Sequence, residues 1–282
     1  MFHLATLEPV DYLIIGHITH DLLPDGDRLG GTVAYAGLTA QALGLRVGLV
    51  TSWAADLPLG PLATMQIANY PSEHSTTFEI RQTTSGRELK IQHVAHQLDY
   101  FHIPEPWRRA SVIHLAPIAQ EIEPSLIRNI SSALVGATPQ GWLRSWSSDG
   151  RVHLGEWPES SFVLQRVGAA VISVDDVEGD ENRIEEMAAQ CRVLAVTEAG
   201  EGVRIYWNGD VRRFRPPAVD VVDTTGAGDV FAAAFFARLF MTRDPWEAGR
   251  FATQLDTISV TRPGFLGIPN PEEINESMQE VY

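Results

Sequence analysis

The chain has 282 residues and a formal net charge of −15, an acidity that repels phosphate backbones and disfavours a nucleic-acid partner. Of its 21 basic residues only Lys90 is a lysine, and the neighbours Glu88, Leu89 and Ile91 exclude a lysine-dependent phosphate loop. One cysteine, Cys191, excludes an internal disulfide and a multi-cysteine zinc cluster.

The length suits one or two domains, and 44% hydrophobic against 20% charged residues is the balance of a folded chain rather than a disordered one. Glu8 and Asp11 stand where a secretory signal would need a basic region, so none is expected, and the cytosol is the expected compartment. The longest apolar stretch, residues 230–241, contains Arg238 and is too short to cross a bilayer, so no membrane partner is expected.

The apolar run at residues 12–15 ends at Gly16 and reads as a buried strand. Residues 46–51, 112–115, 169–174 and 193–197 repeat that character, while 32–43, 124–135 and 181–190 carry helical patterns between them. Strands alternating with helices predict an α/β fold around a mostly parallel sheet. Residues 76–95 break the rhythm, alternating with period two on both sides of Thr84-Ser85-Gly86-Arg87. This is a β-hairpin pattern, and periodicity alone fits a projecting flap and an edge of the main sheet equally well.

The stretch that carries chemistry is Asp223-Thr224-Thr225-Gly226-Ala227-Gly228-Asp229, which follows a valine-rich strand end and opens a helix rich in alanine and phenylalanine. Gly226, Ala227 and Gly228 let backbone amides approach a ligand closely, at a helix start with unsatisfied N–H groups and the positive end of the dipole. This makes an anion site without lysine. Asp229, in the first turn, is placed to take a proton from a hydroxyl while the amides stabilise a phosphoryl group. A bare Gly-x-Gly-Asp is more often only a helix start; the full seven-residue pattern is far more specific.

That pattern resembles the C-terminal signature of the PfkB family of carbohydrate kinases, also called ribokinase-like. Further motifs match in order: Gly16 and Asp21 after the first strand, then Gly30-Gly31 opening a helix, with Tyr35 where the family often has asparagine. Ser173-Val174-Asp175-Asp176 stands where the family has Asn-x-x-Glu; Thr197, Ala199 and Gly202 stand at a nucleotide-side motif; and residues 251–264 resemble the adenine-side helix and loop, with Thr253 in place of asparagine.

The resemblance implies a ribokinase-like α/β fold: a central, mostly parallel sheet flanked by helices, with a small β lid, as a single domain over residues 1–282. The lid would be the hairpin at about 74–98, joined by part of 17–30. It further implies ATP-dependent phosphorylation of a hydroxyl on a small sugar or polyol, with Asp229 as base and the amides of Gly226, Ala227 and Gly228 as anion hole. Substrate contacts would come from Asp21, Gly30, Gly31, Arg87, Glu121, Gln140 and Arg144, and nucleotide contacts from Thr197, Gly202, Thr225, Thr253, Val260 and Gly264. Mg²⁺ would be supported indirectly by Asp176, and K⁺ is the family's monovalent cation near Asp223 and Thr225. Lid sheets in the family often supply homodimer contacts. The strings around residues 76–92, 114–122 and 139–152 look most like the inositol-kinase-like branch, whereas nucleoside kinases share the fold. A non-catalytic binding or regulatory subunit is the alternative from another class, favoured by the departures at Tyr35, Ser173, Ala199 and Thr253 and opposed by the intact glycine turn with Asp229.

Overall fold

The computed structural model describes residues 7–54, 58–83 and 86–279, the side chains of 82–87 excepted. In chain order the regular elements begin with strands β1 (Tyr12–Ile15), β2 (Thr19–Leu22) and β3 (Arg28–Gly30), helix α1 (Thr32–Ala42), and strands β4 (Val47–Thr51) and β5 (Gln66–Asn69). The hairpin β6 (Thr76–Thr83) and β7 (Gly86–His93) follows, then β8 (Val112–Leu115), β9 (Leu134–Ala137), β10 (Arg144–Trp146) and β11 (Val152–Leu154). The rest comprises α2 (Ser160–Leu164), β12 (Ala169–Ser173), α3 (Glu181–Gln190), β13 (Val193–Thr197), β14 (Val203–Trp207), β15 (Asp210–Phe214), α4 (Ala227–Thr242), α5 (Pro245–Ser259) and α6 (Pro271–Met278).

Nine strands form the main sheet in the order β15-β14-β13-β12-β9-β8-β1-β4-β5, parallel except at one edge, where β14 pairs antiparallel with both β13 and β15. Both faces of this sheet are covered, which explains the continuous apolar runs. Within β1, Tyr12 and Ile14 pack into the core under α1, α4 and α5, while Leu13 and Ile15 pack into the opposite core with Trp107, Leu126 and Leu164. The chain order reverses at β1, whose neighbours β4 and β8 lie on opposite sides. In open α/β sheets such a reversal leaves a crevice beyond the carboxyl ends of the strands. Gly16 and Ala116 lie there, so close that a Cβ on Gly16 would stand 2.2 Å from the Ala116 carbonyl oxygen.

The hairpin belongs to a separate four-stranded sheet, β3-β2-β6-β7, rather than to an edge of the main one. Phe78, Ile80 and Ile91 of this small sheet form a third apolar cluster with Ile118 and Ala119. Residues 124–135, read as one helix, instead form a short 3-10 turn at Pro124–Asn129 and then strand β9. Ser132 divides them by donating its hydroxyl to the carbonyls of Ala110 and Ser111, 2.8 and 2.9 Å away, and the following residues gain a parallel ladder with β8. Among the described residues no helix is long and apolar enough to cross a membrane.

His114, in the middle of β8, is fully buried between the Tyr12 hydroxyl (3.2 Å) and the Thr138 hydroxyl (3.0 Å), and burial lowers its pKa to about 3. The unfolded chain takes up this proton near pH 6.5, the folded chain only near 3. Stability from this group is therefore complete above about pH 6.5 and is lost as the pH falls toward 3, at up to about 1.4 kcal/mol per pH unit. His17 is lowered in the same direction, chiefly by burial. Urea midpoints measured at pH 7.5 and pH 5 should differ less in His114→Gln than in the wild type; equal differences would refute this role.

Candidate active site

Gly226 caps α4 in a left-handed conformation, φ 78°, and the Ala227 amide, expected in the anion hole, donates to Thr224 O at 3.3 Å. A Cβ on Gly228 would meet no atom within 4 Å, so the outer surface of the turn is open, whereas a Cβ on Gly226 would stand 2.1 Å from the ring of Tyr35. Asp229 is the third residue of the helix and donates its own amide to Gly226 O at 3.0 Å. Thr225 N and Gly264 N each donate to one Asp223 carboxylate oxygen at 2.9 Å. The amides of Val222 and Asp223 donate to Val260 O at 2.8 and 3.2 Å, so the loop after α5 is fastened along the glycine turn. Burial pushes the Asp223 carboxyl up, but the Thr225 amide and hydroxyl, the Gly264 amide and the charge of Arg28 together hold its pKa below the ordinary value.

Beside this turn lie the N-terminal residues. Gly31, φ 87°, caps α1 against the His17 carbonyl, and a Cβ on Gly30 would stand 2.2 Å from a carboxylate oxygen of Asp21. The Thr19 hydroxyl donates to the other Asp21 oxygen at 2.7 Å. Tyr35, one turn into α1, links the two halves: Asp223, Asp229 and Asp21 all raise its pKa in addition to burial. Residues some two hundred positions apart in sequence thus share one small region, and neither Tyr35 nor Thr19 stood among the expected site residues.

Several expected contacts are spent on loop structure. Glu121 is 2% exposed and accepts from the amides of His17 (2.9 Å), Ile118 (2.9 Å) and Ala119 (2.7 Å), tying the end of β1 to the loop after β8. Gln140 lies in the 3-10 turn after β9 and donates to Asp176 Oδ1 at 2.7 Å, while Ser173 N donates to Oδ2 at 2.8 Å. Burial pushes the Asp176 pKa up against these bonds. Each Asp176 oxygen thus accepts one hydrogen bond from the loop and keeps a further acceptor site, as an indirect role through water requires. Among the described residues no group of three or more acidic, histidine or cysteine side chains could hold a metal.

Arg144 lies in β10 and donates to Ile118 O at 3.0 Å, with its guanidinium 5.6 Å from the Phe78 ring of the small sheet. The side chain of Arg87 lies outside the described residues. Lys90 shares a register position with Glu79, one residue off the Phe78–Ile91 pair, so it lies on the opposite face of the small sheet from Phe78. On the nucleotide side, Thr253 is 4% exposed and its hydroxyl donates back to Gly249 O at 2.8 Å, a packing role inside α5. Thr197 ends β13, and Ala199 holds a left-handed φ of 47° where the family motif has glycine. A Cβ on Gly202, φ 95°, would stand 2.0 Å from Phe214 O, so close backbone packing requires glycine there.

A parallel-sheet α/β body with a glycine pair at one helix start and a Gly-Ala-Gly-Asp turn at another is a ribokinase-like architecture. Residues 165–272 match the model of the pfkB family carbohydrate kinases. The chain is similar to a cytidine kinase of Thermococcus kodakarensis, 27% identical over 81% of this chain and 88% of that one. It is equally 27% identical to an inositol 3-kinase of Oryza sativa subsp. japonica, over 92% of this chain and 70% of that one. In fold it is similar to a pyrophosphate-dependent kinase in the ribokinase family solved with a pyrophosphate analog and myo-inositol: TM-score 0.79, 19% identity, 94% of this chain and 99% of that one. The pfkB match is confined to residues 165–272, whereas the fold likeness extends over nearly the whole chain.

Proposed function

We propose that this chain transfers the terminal phosphoryl group of ATP to a hydroxyl of a small sugar or polyol. The observation that carries the reading is the convergence of Asp21 and the Gly30–Gly31 pair with Asp229 and the Gly226 turn around Tyr35. Asp229 would take the proton of the acceptor hydroxyl as its oxygen attacks, and the helix-start amides would stabilise charge on the phosphoryl oxygens. Asp21 would orient the acceptor through its remaining hydrogen-bonding capacity, held in place by Thr19. Glu121 and Gln140 would act at one remove, by shaping the loops at the strand ends. Arg144, on the underside of the small sheet, would meet the acceptor as that sheet closes as a lid and excludes water.

Mg²⁺ accompanies ATP and supplies charge neutralisation of the donor phosphates. The two amides that Asp223 accepts already fasten its loop, so K⁺ would add to a formed loop rather than build it. The likenesses to inositol and cytidine kinases favour a polyhydroxylated acceptor and leave a nucleoside as the neighbouring choice.

The test is product formation with Mg·ATP, and separately with pyrophosphate, across myo-inositol, fructose, ribose and cytidine. Turnover of at least one polyol or sugar with ATP is expected. Nucleotide binding without turnover across the panel would replace this reading by a non-catalytic subunit.

A further inference from the structure

Tyr35 is 5% exposed, and its ring is fixed from two sides, by Gly226 across the turn and by Phe265 with ring centroids 4.7 Å apart. Its hydroxyl has no hydrogen-bond partner among the described residues, yet it is not among the sealed polar atoms that lack one, so it retains access to solvent. A phenol O–H with no protein partner but with solvent access keeps its donor for whatever occupies the adjoining space, water in the free enzyme or a ligand in the complex. The hydroxyl lies 4.0 Å from where a Cβ on Gly264 would stand, and Gly264 N is the amide that holds Asp223. The group is therefore at the glycine turn and its fastening loop, on the donor side of the acceptor carboxylate Asp21.

Three carboxylates, Asp21, Asp223 and Asp229, act on this phenol. An incoming phosphate must meet the same carboxylates, opposed by the helix-start amides and by the charge of Arg28, which acts on both Tyr35 and Asp223. An O–H donor rigidly set among these carboxylates complements an anionic oxygen. It would be redundant for an acceptor hydroxyl that already has Asp21 and Asp229. Burial and the carboxylates push the phenol pKa up, so it keeps its proton and serves as a donor, never as a base.

We propose that Tyr35 is a catalytic residue of the donor side, its hydroxyl donating a hydrogen bond to an oxygen of the terminal phosphoryl group. This rests on the phosphoryl-transfer reading of the same turn. It also accounts for the departure from asparagine: a longer side chain reaches past the acceptor and onto the glycine turn.

Tyr35→Phe keeps the ring on Gly226 and Phe265 and removes only the donor. The full chain should then show a kcat lowered about tenfold or more, and a preference for Mg·ATP over Mg·ADP, measured calorimetrically, reduced by a similar factor. The acceptor KM and the melting temperature should stay at their wild-type values. Pyrophosphate against orthophosphate gives the same comparison for a donor without a base. A kcat and a donor preference both within about twofold of wild type would overturn the assignment, as would a loss confined to the acceptor KM. A wild-type chain that bound neither nucleotide nor pyrophosphate would overturn the phosphoryl-transfer reading itself, before any variant is compared.

Discussion

Asp229→Asn should lower turnover about 10²–10⁴-fold, the range for losing a positioned general base, while Mg·ATP affinity stays nearly unchanged. Asparagine has almost the same size and shape, and it suits a first helical turn well enough to leave the capping by Gly226 intact. The change removes the basic carboxylate at nearly constant shape. Loss of a favourable charge near the helix start should cost about 0.3–1 kcal/mol of stability, too little to unfold a domain of this size. Product formation under saturating substrates, set beside a calorimetric ATP titration, separates the two quantities. Near-normal turnover in this variant would remove Asp229 from the chemistry. Equal loss of binding and turnover would make it a binding residue instead.

Much of this site was legible because its signals are local. A glycine turn followed by an aspartate in a first helical turn is a contiguous pattern, and it formed as expected. The period-two alternation of residues 76–95 likewise identified β6 and β7. The partner sheet was less accessible, because the pairing of β2 with β6 depends on residues more than fifty positions apart. Residues 124–135 show the limit of short apolar patterns. Leu126, Ile127 and Leu134 fit a helix as well as a turn and strand, and the deciding contacts of Ser132 come from the end of another segment.

The side-chain roles that changed are those decided by long-range amides. Glu121 looks like a substrate carboxylate in sequence, but its reach to His17, 104 positions away, could not be read there. Gln140 and Asp176 pair across 36 positions in the same way. A signal for Asp176 did exist: Ser173 and Asp176 have the Ser-x-x-acid spacing of a capping box, which the structure forms. Tyr35 registered only as a missing asparagine, since nothing local indicates that its ring would cover Gly226.

Gly226→Ala should abolish most activity and destabilise the chain, whereas Gly228→Ala should impair activity alone. At Gly226 two costs combine. A φ of 78° costs an L-residue about 1–2 kcal/mol, and the new Cβ would lie 2.1 Å from the ring of Tyr35. That ring cannot retreat freely, because Phe265 packs on it. The turn must shift instead, and the amides of Ala227 and Gly228 move with it. Losing one preorganised donor of this kind costs about 10²–10³-fold in turnover. At Gly228 the backbone is helical and a Cβ meets nothing within 4 Å, so the protein should fold as well as the wild type or slightly better. The added methyl group would instead stand on the open surface where the phosphoryl group approaches. Melting temperatures and kcat for the two variants give a two-by-two comparison. If Gly226→Ala kept wild-type stability, the clash with Tyr35 would not be real. If Gly228→Ala kept wild-type turnover, the phosphoryl group would not approach over this turn, and the anion-hole assignment would fail independently of Asp229.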